Sequence, residues 1–318
     1  LVAACAQVGT DYVDLCGEPE WMARMIDAHE AAAKASAARI VFSCGFDSIP
    51  FDLGVTFLQA EAKRRWGAPA RRVRGRVRRM KGAASGGTIA SGIASVEAAA
   101  RDPRVRRVLA DPFALTPGFT GPPQPPADKP LYDELAGQWA APFIMAAINT
   151  KNVHRTNFLL GHAWGRDFLY DEMQLMGPGE EASGRARTAA WLTGLAPALL
   201  AFGPTRALAK ALLPKPGQGP SPEQQEAGFF DLLFIGEAGD GRTLTASCTG
   251  KRDPGYGATS RMIAESALCL LRDVGRDQTA GGIWTPGAAM GPDKGSGGGG
   301  PLIARLAAHA DMTFGVDP

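Results

Sequence analysis

Two blocks near the start of the chain share one pattern. Gly9-Thr10-Asp11-Tyr12-Val13-Asp14-Leu15-Cys16-Gly17-Glu18 and Ser43-Cys44-Gly45-Phe46-Asp47-Ser48-Ile49-Pro50-Phe51-Asp52-Leu53-Gly54 each read as an apolar strand running into a polar, glycine-containing turn, with helical sequence behind it. Leu1 to Val8 reads as the end of a helix, with Gly9 as the residue that closes it. Between the blocks, Pro19 to Ser36 carries Trp21, Met22, Met25, Ile26 and His29 at helical spacing, with Pro19 suited to the first turn. Arg39 to Cys44 has the apolar character of a strand buried in a parallel sheet, and a second helix follows from about Pro50 to Trp66. Strand, helix, strand, helix implies parallel pairing. In such a sheet ligands bind at the carboxyl ends of the strands, where both turns lie.

The character changes after residue 66. Val73 to Met80 alternates Val or Gly with Arg, a strand period with one polar face. Gly86 to Ala100 is a small-residue helix, and Thr116 to Pro130 is a Pro-rich loop. Phe158 to Leu160 and Arg166 to Met176 look like strands. Pro214 to Pro222 is a Pro/Gly loop. Phe229 to Gly236 and Thr243 to Lys251 flank Gly239-Asp240-Gly241, a hairpin signal. Ala258 to Val274 and Leu302 to His309 are helices, and Met312 to Val316 is a last short strand. The expected class is α/β, an incomplete doubly wound parallel sheet followed by an α+β domain with a mixed sheet. The boundaries are 1–66, 67–254 and 255–318, the last part returning a helix toward the first domain. The glycine run from Gly295 to Gly300 reads as a flexible linker.

A chain of 318 residues is long for a single core. Its net charge of +2 argues against a nucleic-acid binder driven by bulk charge. The five cysteines are scattered without a C-x-x-C pair and read as free thiols in a reducing compartment. The four histidines show no metal-ligand spacing, so no metal is expected. The opening apolar residues are too few for a signal peptide. Ala189 to Leu213 is the richest apolar stretch, but Pro197, Gly203 and Pro204 interrupt it and argue against a long helix. A helical hairpin on the protein or on a membrane surface is the expected form. No G-x-G-x-x-G fingerprint precedes the two blocks, and the chain opens on Leu1 inside a helix. The expectation is a dinucleotide enzyme lacking its front end.

These residues resemble the saccharopine dehydrogenase-like oxidoreductases, in particular their bacterial trans-acting enoyl reductase branch. The resemblance rests on Gly9 to Glu18 and Cys44 to Pro50, on Pro214 to Pro220, on Asp253-Pro254-Gly255-Tyr256 with Glu265-Ser266-Ala267, and on Gly282-Ile283-Trp284-Thr285-Pro286. It spans nearly the whole chain in order. The family's first strands and Gly-rich loop are absent, and Gly295 to Gly300 is foreign to its pattern. The resemblance implies a Rossmann-type domain, of which residues 1–66 are the C-terminal remnant, then a larger substrate and dimerisation domain. It implies a nicotinamide dinucleotide, NADPH before NAD, and reduction of a double bond in a lipid or polyketide acyl chain held by a synthase or carrier protein. Saccharopine-type imine chemistry, or a non-catalytic fragment that dimerises or binds lipid, are the alternatives. The implied setting is a cytoplasmic homodimer, with peripheral contact at the inner face of the plasma membrane and no nucleic-acid partner.

The candidate residues each carry a structural alternative. Asp47 and Ser48 are the catalytic candidates, yet either side chain could cap the helix that follows. That helix N-terminus also points partial positive charge at the strand-end crevice. Asp14, Gly17 and Glu18, with Gly45 and Phe46, are the cofactor-binding candidates, contacting the nicotinamide ribose or carboxamide, or else forming ordinary turns. Tyr12 defaults to core packing. There is no Tyr-x-x-x-Lys pair, and hydride transfer needs none, because the cofactor carries that chemistry. Arg72, Arg74, Arg76 and Arg78 put four guanidinium groups on one strand face, either a solvated edge strand or a dock for an acidic carrier protein. Arg261 and Glu265 can pair at i, i+4. Without the Gly-rich loop the chain should bind NADPH weakly, and both early strands should be left with exposed edges.

Overall fold

The computed structural model describes residues 1–82, 86–213, 215, 218–292 and 299–317. Residues 214, 216 and 217 of the Pro/Gly loop and 295–298 of the glycine run lie outside the described residues. The chain begins with α1 (Val2–Val8), β1 (Tyr12–Val13), α2 (Pro19–Ser36), β2 (Arg39–Val41) and α3 (Ile49–Trp66). Gly9 and Gly67 end α1 and α3 in the left-handed conformation, φ 77° and 76°, where a Cβ would be strained. Then come β3 (Arg72–Lys81), α4 (Gly86–Arg101), α5 (Pro103–Ala110), β4 (Leu131–Asp133), β5 (Gln138–Pro142), α6 (Ala146–Leu159) and β6 (Leu169–Gly177). Next are α7 (Glu180–Ala201), α8 (Gly203–Leu212), α9 (Pro222–Glu226), β7 (Phe229–Glu237), β8 (Thr243–Lys251) and a π-helical turn (Pro254–Ala258). The chain closes with α10 (Thr259–Arg272), β9 (Gly282–Trp284), α11 (Pro286–Met290), α12 (Pro301–His309) and β10 (Met312–Val316).

These elements build two sheets. A small parallel sheet has the order β1-β2-β9, and a mixed sheet has the order β10-β8-β7-β3-β6-β5-β4 with β3 and β6 parallel. Helix α3 joins them. It follows β2 and lies on β7 and β8, with Gly54 so close to Phe234 that a Cβ there would sit 2.3 Å from the ring. Its buried side chains, among them Phe51, Leu53, Val55 and Leu58, form one apolar core with Val73, Val77, Phe230, Phe234 and Met262. A second cluster, including Met22, Ile26, Ile40, Phe42 and Ile283, packs α2 against the small sheet.

Several expectations are corrected. The Phe158 to Leu160 segment is not a strand: Phe158 and Leu159 end α6 and Leu160 is its C-cap, behind a helix buried on every side from Lys151 to Asn157. Residues 180–201 do form a long helix, which continues through position 197 before the chain breaks at Phe202 and Gly203. Among the described residues no helix is long and apolar enough to cross a membrane. Strand β9 was not foreseen as a strand, yet it pairs with β2 in parallel, Ile40 opposite Ile283. β2 is therefore covered on both sides, and the expected exposed edge there is absent.

The arginine strand is neither an edge nor a free docking face. β3 lies between β7 and β6 at the centre of the mixed sheet. Arg76 is 1% exposed and pairs with Asp133 and Asp171, each at 2.7 Å. Arg74 bonds Asp133 and Glu237, Arg72 bonds Asp171, and Arg78 bonds Asp231 and Asp317. Carboxylates from β6, β7 and β4 and from Asp317 just after β10 neutralise the row, so it is an internal ladder of ion pairs. Arg261 and Glu265 also separate: Arg261 pairs with Asp311 and Glu265 with Arg305.

Candidate functional site

The carboxyl ends of β1 and β2 come together through the turns that follow them. Asp14 Oδ1 accepts from the Cys16 and Ser43 amides at 3.0 and 3.1 Å. The Cys44 amide donates to the Asp14 carbonyl at 2.7 Å, and Ser43 Oγ donates to the Cys16 carbonyl at 2.6 Å. Asp14 is thus the staple that holds the two turns side by side. Burial raises its pKa, against the opposing amide hydrogen bonds. Tyr12 donates its hydroxyl to Asp14 Oδ2 at 3.2 Å.

Gly17 and Asp47 face each other across this junction. A Cβ built on Gly17 would lie 3.7 Å from Asp47 Oδ2, in ordinary contact. Gly45 is more constrained: a Cβ there would meet Leu15 at 2.8 Å and Thr259 at 3.2 Å. The Phe46 amide donates to Thr259 Oγ1 at 3.0 Å, and the Phe46 ring packs on Phe51 and Phe230. Glycine at 45 is therefore a packing requirement where α10 meets the turn.

Two carboxyl groups at this crevice are driven apart in pKa. Burial works to raise Glu18, but hydrogen bonds from Ser91, Cys16 and the Gly17 amide outweigh it and hold the carboxyl below its ordinary value. Asp47 has no hydrogen-bond partner among the described residues, and burial together with the nearby Glu18 charge pushes it up to about 6. Paired titratable groups with opposed shifts are a hallmark of acid and base assignments.

Ser48 takes a different course. It occupies the N-cap of α3, yet its side chain makes no capping bond, and only its backbone carbonyl receives the Asp52 amide, at 2.8 Å. Asp47 does not cap either. The reason is that α6 captures the Ser48 hydroxyl, which donates to Asn149 Oδ1 at 3.2 Å and accepts from Asn152 Nδ2 at 2.6 Å. Asn149 continues to Glu172 at 2.7 Å, and Tyr170 donates to the same carboxyl at 2.9 Å. Burial pushes Glu172 up to about 8. The structure therefore brings Asp14, Gly17, Glu18, Gly45, Phe46 and Asp47 to one crevice and turns Ser48 inward beneath it.

Sequence reasoning missed Ser91, Thr259 and the Asn149–Glu172 pair. Thr259 had a signal in its place just after the Asp253 to Tyr256 motif. Ser91 had none, because a small-residue helix reads as packing. The described residues also bear on where a dinucleotide could sit. Its pyrophosphate needs free amides at a helix N-terminus. Here two nearby amides are taken by the chain's own acids, while the start of α3 carries no side-chain cap. Glu18 accepts the Gly17 amide at 3.0 Å, and Asp52 accepts the Gly287 amide of α11 at 2.7 Å while also holding Thr156. A separate cavity of about 270 Å³, lined by Asp273, Thr279, Met290 and Gly300 among others, lies where Val274 receives Arg39 at the amino end of β2, away from the crevice.

Known proteins resemble this chain over most of its length. A Mycobacterium tuberculosis H37Rv protein, provisionally named a trans-acting enoyl reductase, is 40% identical over 304 residues, covering 92% of this chain and 72% of its own. The trans-acting enoyl reductase of Mycobacterium bovis BCG is 34% identical, covering 96% of this chain and 74% of its own. That of Mycobacterium ulcerans is 35% identical with the same coverage. No family model matches the chain. Identity of this extent leaves no room for a different fold, and the chain belongs to the trans-acting enoyl reductase family.

Proposed function

We propose that the protein reduces the carbon–carbon double bond of a lipid-like acyl intermediate, with NADPH as reductant. The observation that carries this reading is Asp47, a carboxyl without a hydrogen-bond partner at the parallel strand ends, in a chain of this family. A bound nicotinamide would supply the hydride. Asp47 then holds the proton that the acyl chain takes up on the carbon next to its carbonyl. A group that titrates near 6 is suited to giving up a proton near neutral pH. Burial, with Glu18 ionised beside it, raises the fraction of Asp47 that carries a proton. Asp14 fixes the turns, and Gly17, with no side chain, leaves the Asp47 carboxyl uncrowded.

Ser48 is a positioning residue in this scheme: its bonds to Asn149 and Asn152 set the backbone that carries Asp47. The resemblance to saccharopine dehydrogenase-like enzymes supports the preference for NADPH and a homodimeric, carrier-dependent mode of action. The test is NADPH oxidation with an enoyl thioester at saturating cofactor. Asp47→Asn should lower kcat by about 10²–10⁴, the usual worth of a general acid, with the KM for NADPH little changed. An unchanged kcat would remove Asp47 from the chemistry. Equal turnover with NADH would remove the cofactor preference.

A further inference from the structure

We propose that the α7–α8 hairpin and the basic corner beside it dock the protein on an anionic lipid surface. Six of the fourteen exposed large apolar side chains among the described residues lie between 191 and 213. Trp191 is 64% exposed, Phe202 61% and Leu208 59%, with Leu192, Leu199 and Leu213 alongside. On α7, positions 191, 192 and 199 fall on one helical stripe, and Phe202 follows at its C-cap. An apolar patch of this kind marks an interaction surface.

The neighbouring charge identifies what covers it. Arg206 of α8 receives no single role: its guanidinium closes the carbonyl end of α7 at Leu200 and Ala201, and it pairs with Glu97 of α4 at 3.0 Å. This pins the hairpin to the carboxyl end of α4. There α4 runs into α5, and Arg106 folds back to the Ala99 carbonyl at 2.8 Å. Arg101, Arg104, Arg106 and Arg107 are all exposed at this corner, and Arg101, Arg104 and Arg107 have no carboxylate partner among the described residues. Exposed apolar rings flanked by unpaired arginines match an anionic headgroup layer with its acyl boundary. No helix among the described residues is long and apolar enough to cross a membrane.

The surface also has a route to the crevice. Helix α4 touches α7 at one side, and its Ser91 and Ser95 bond Glu18 and Glu20 at the other. A lipid-bound acyl chain would reach the strand ends along that helix. The docking itself does not depend on the reductase reading.

The test is flotation of the full chain with vesicles of phosphatidylcholine and phosphatidylglycerol in equal parts, against vesicles of phosphatidylcholine alone. The protein should float with the mixed vesicles only, and high salt should release it. Trp191→Ser combined with Phe202→Ser should weaken partitioning at least about tenfold. Arg104→Gln combined with Arg107→Gln should weaken it about thirtyfold while leaving the apolar stripe intact. All four side chains are exposed, so the melting temperature should hold. If it falls for the first pair, the second pair decides. Three outcomes overturn the proposal: no flotation with anionic vesicles, equal flotation with neutral ones, or a dimer in light scattering that Trp191→Ser with Phe202→Ser dissociates, which would make a second copy the occupant.

Discussion

Asp47→Asn should make the protein more stable at alkaline pH while disabling it. Asp47 titrates at about 6 in the folded chain against an ordinary value of 3.8. A raised carboxyl pKa means that the folded state holds a proton the unfolded state has already released. Stability therefore falls as pH rises from 3.8 to about 6 and stays reduced above that. The gap corresponds to about 3 kcal/mol at most. Asp47 retains some contact with solvent, so about half of this, 1–2 kcal/mol, is the expected cost at pH 8. Asparagine has the same shape, carries no charge, and breaks no hydrogen bond, because Asp47 makes none among the described residues. Urea unfolding of both proteins at pH 8 and at pH 3.5 measures the difference. The variant should be more stable at pH 8 and nearly equal at pH 3.5, where the wild-type carboxyl is largely protonated in both states. Equal or lower stability of the variant at pH 8 would refute the reasoning, since it would mean that the charged carboxyl is well solvated or paired in the native chain.

Three further outcomes follow from the same structure. Arg76→Leu leaves Asp133 and Asp171 with only Arg74 and Arg72 beside them, and should cost about 3 kcal/mol in urea unfolding, a deficit that shrinks as pH falls below about 4 and Asp133, which burial would raise but Arg76 holds below its ordinary value, protonates; an unchanged midpoint would contradict a buried ladder. Gly45→Ala drives a Cβ into Leu15 and Thr259 and should cost about 1–3 kcal/mol, whereas Gly17→Ala makes only ordinary contact with Asp47 and should keep its melting temperature while weakening NADPH; reversal of that order would remove the packing argument. NADPH fluorescence titrated with this chain should show weak binding, because Glu18 and Asp52 occupy two of the backbone amides near these strand ends; micromolar affinity would show that the chain still holds a phosphate cradle.

Local pattern determined the elements at the front of this protein. Pro19 opens α2 and Gly9 and Gly67 close α1 and α3, because those residues restrict or free the backbone whatever surrounds them. The two strand-to-turn blocks likewise located Asp14, Gly17, Glu18, Gly45, Phe46 and Asp47 at strand ends, since parallel pairing places such turns together. What the pattern could not carry was partnership. Alternating arginines read the same on a solvated edge and in a central strand, and the acids that settle the matter lie far along the chain, Asp133 at 57 residues from Arg76 and Asp317 at 239 from Arg78. The three residues of β9 are too short for a period, and only pairing with β2 makes them a strand. Ser48 carries the side chain of a helix cap, but its hydroxyl bonds Asn149 and Asn152 of α6 and not the helix amides, so a contact made a hundred residues away decides where it points.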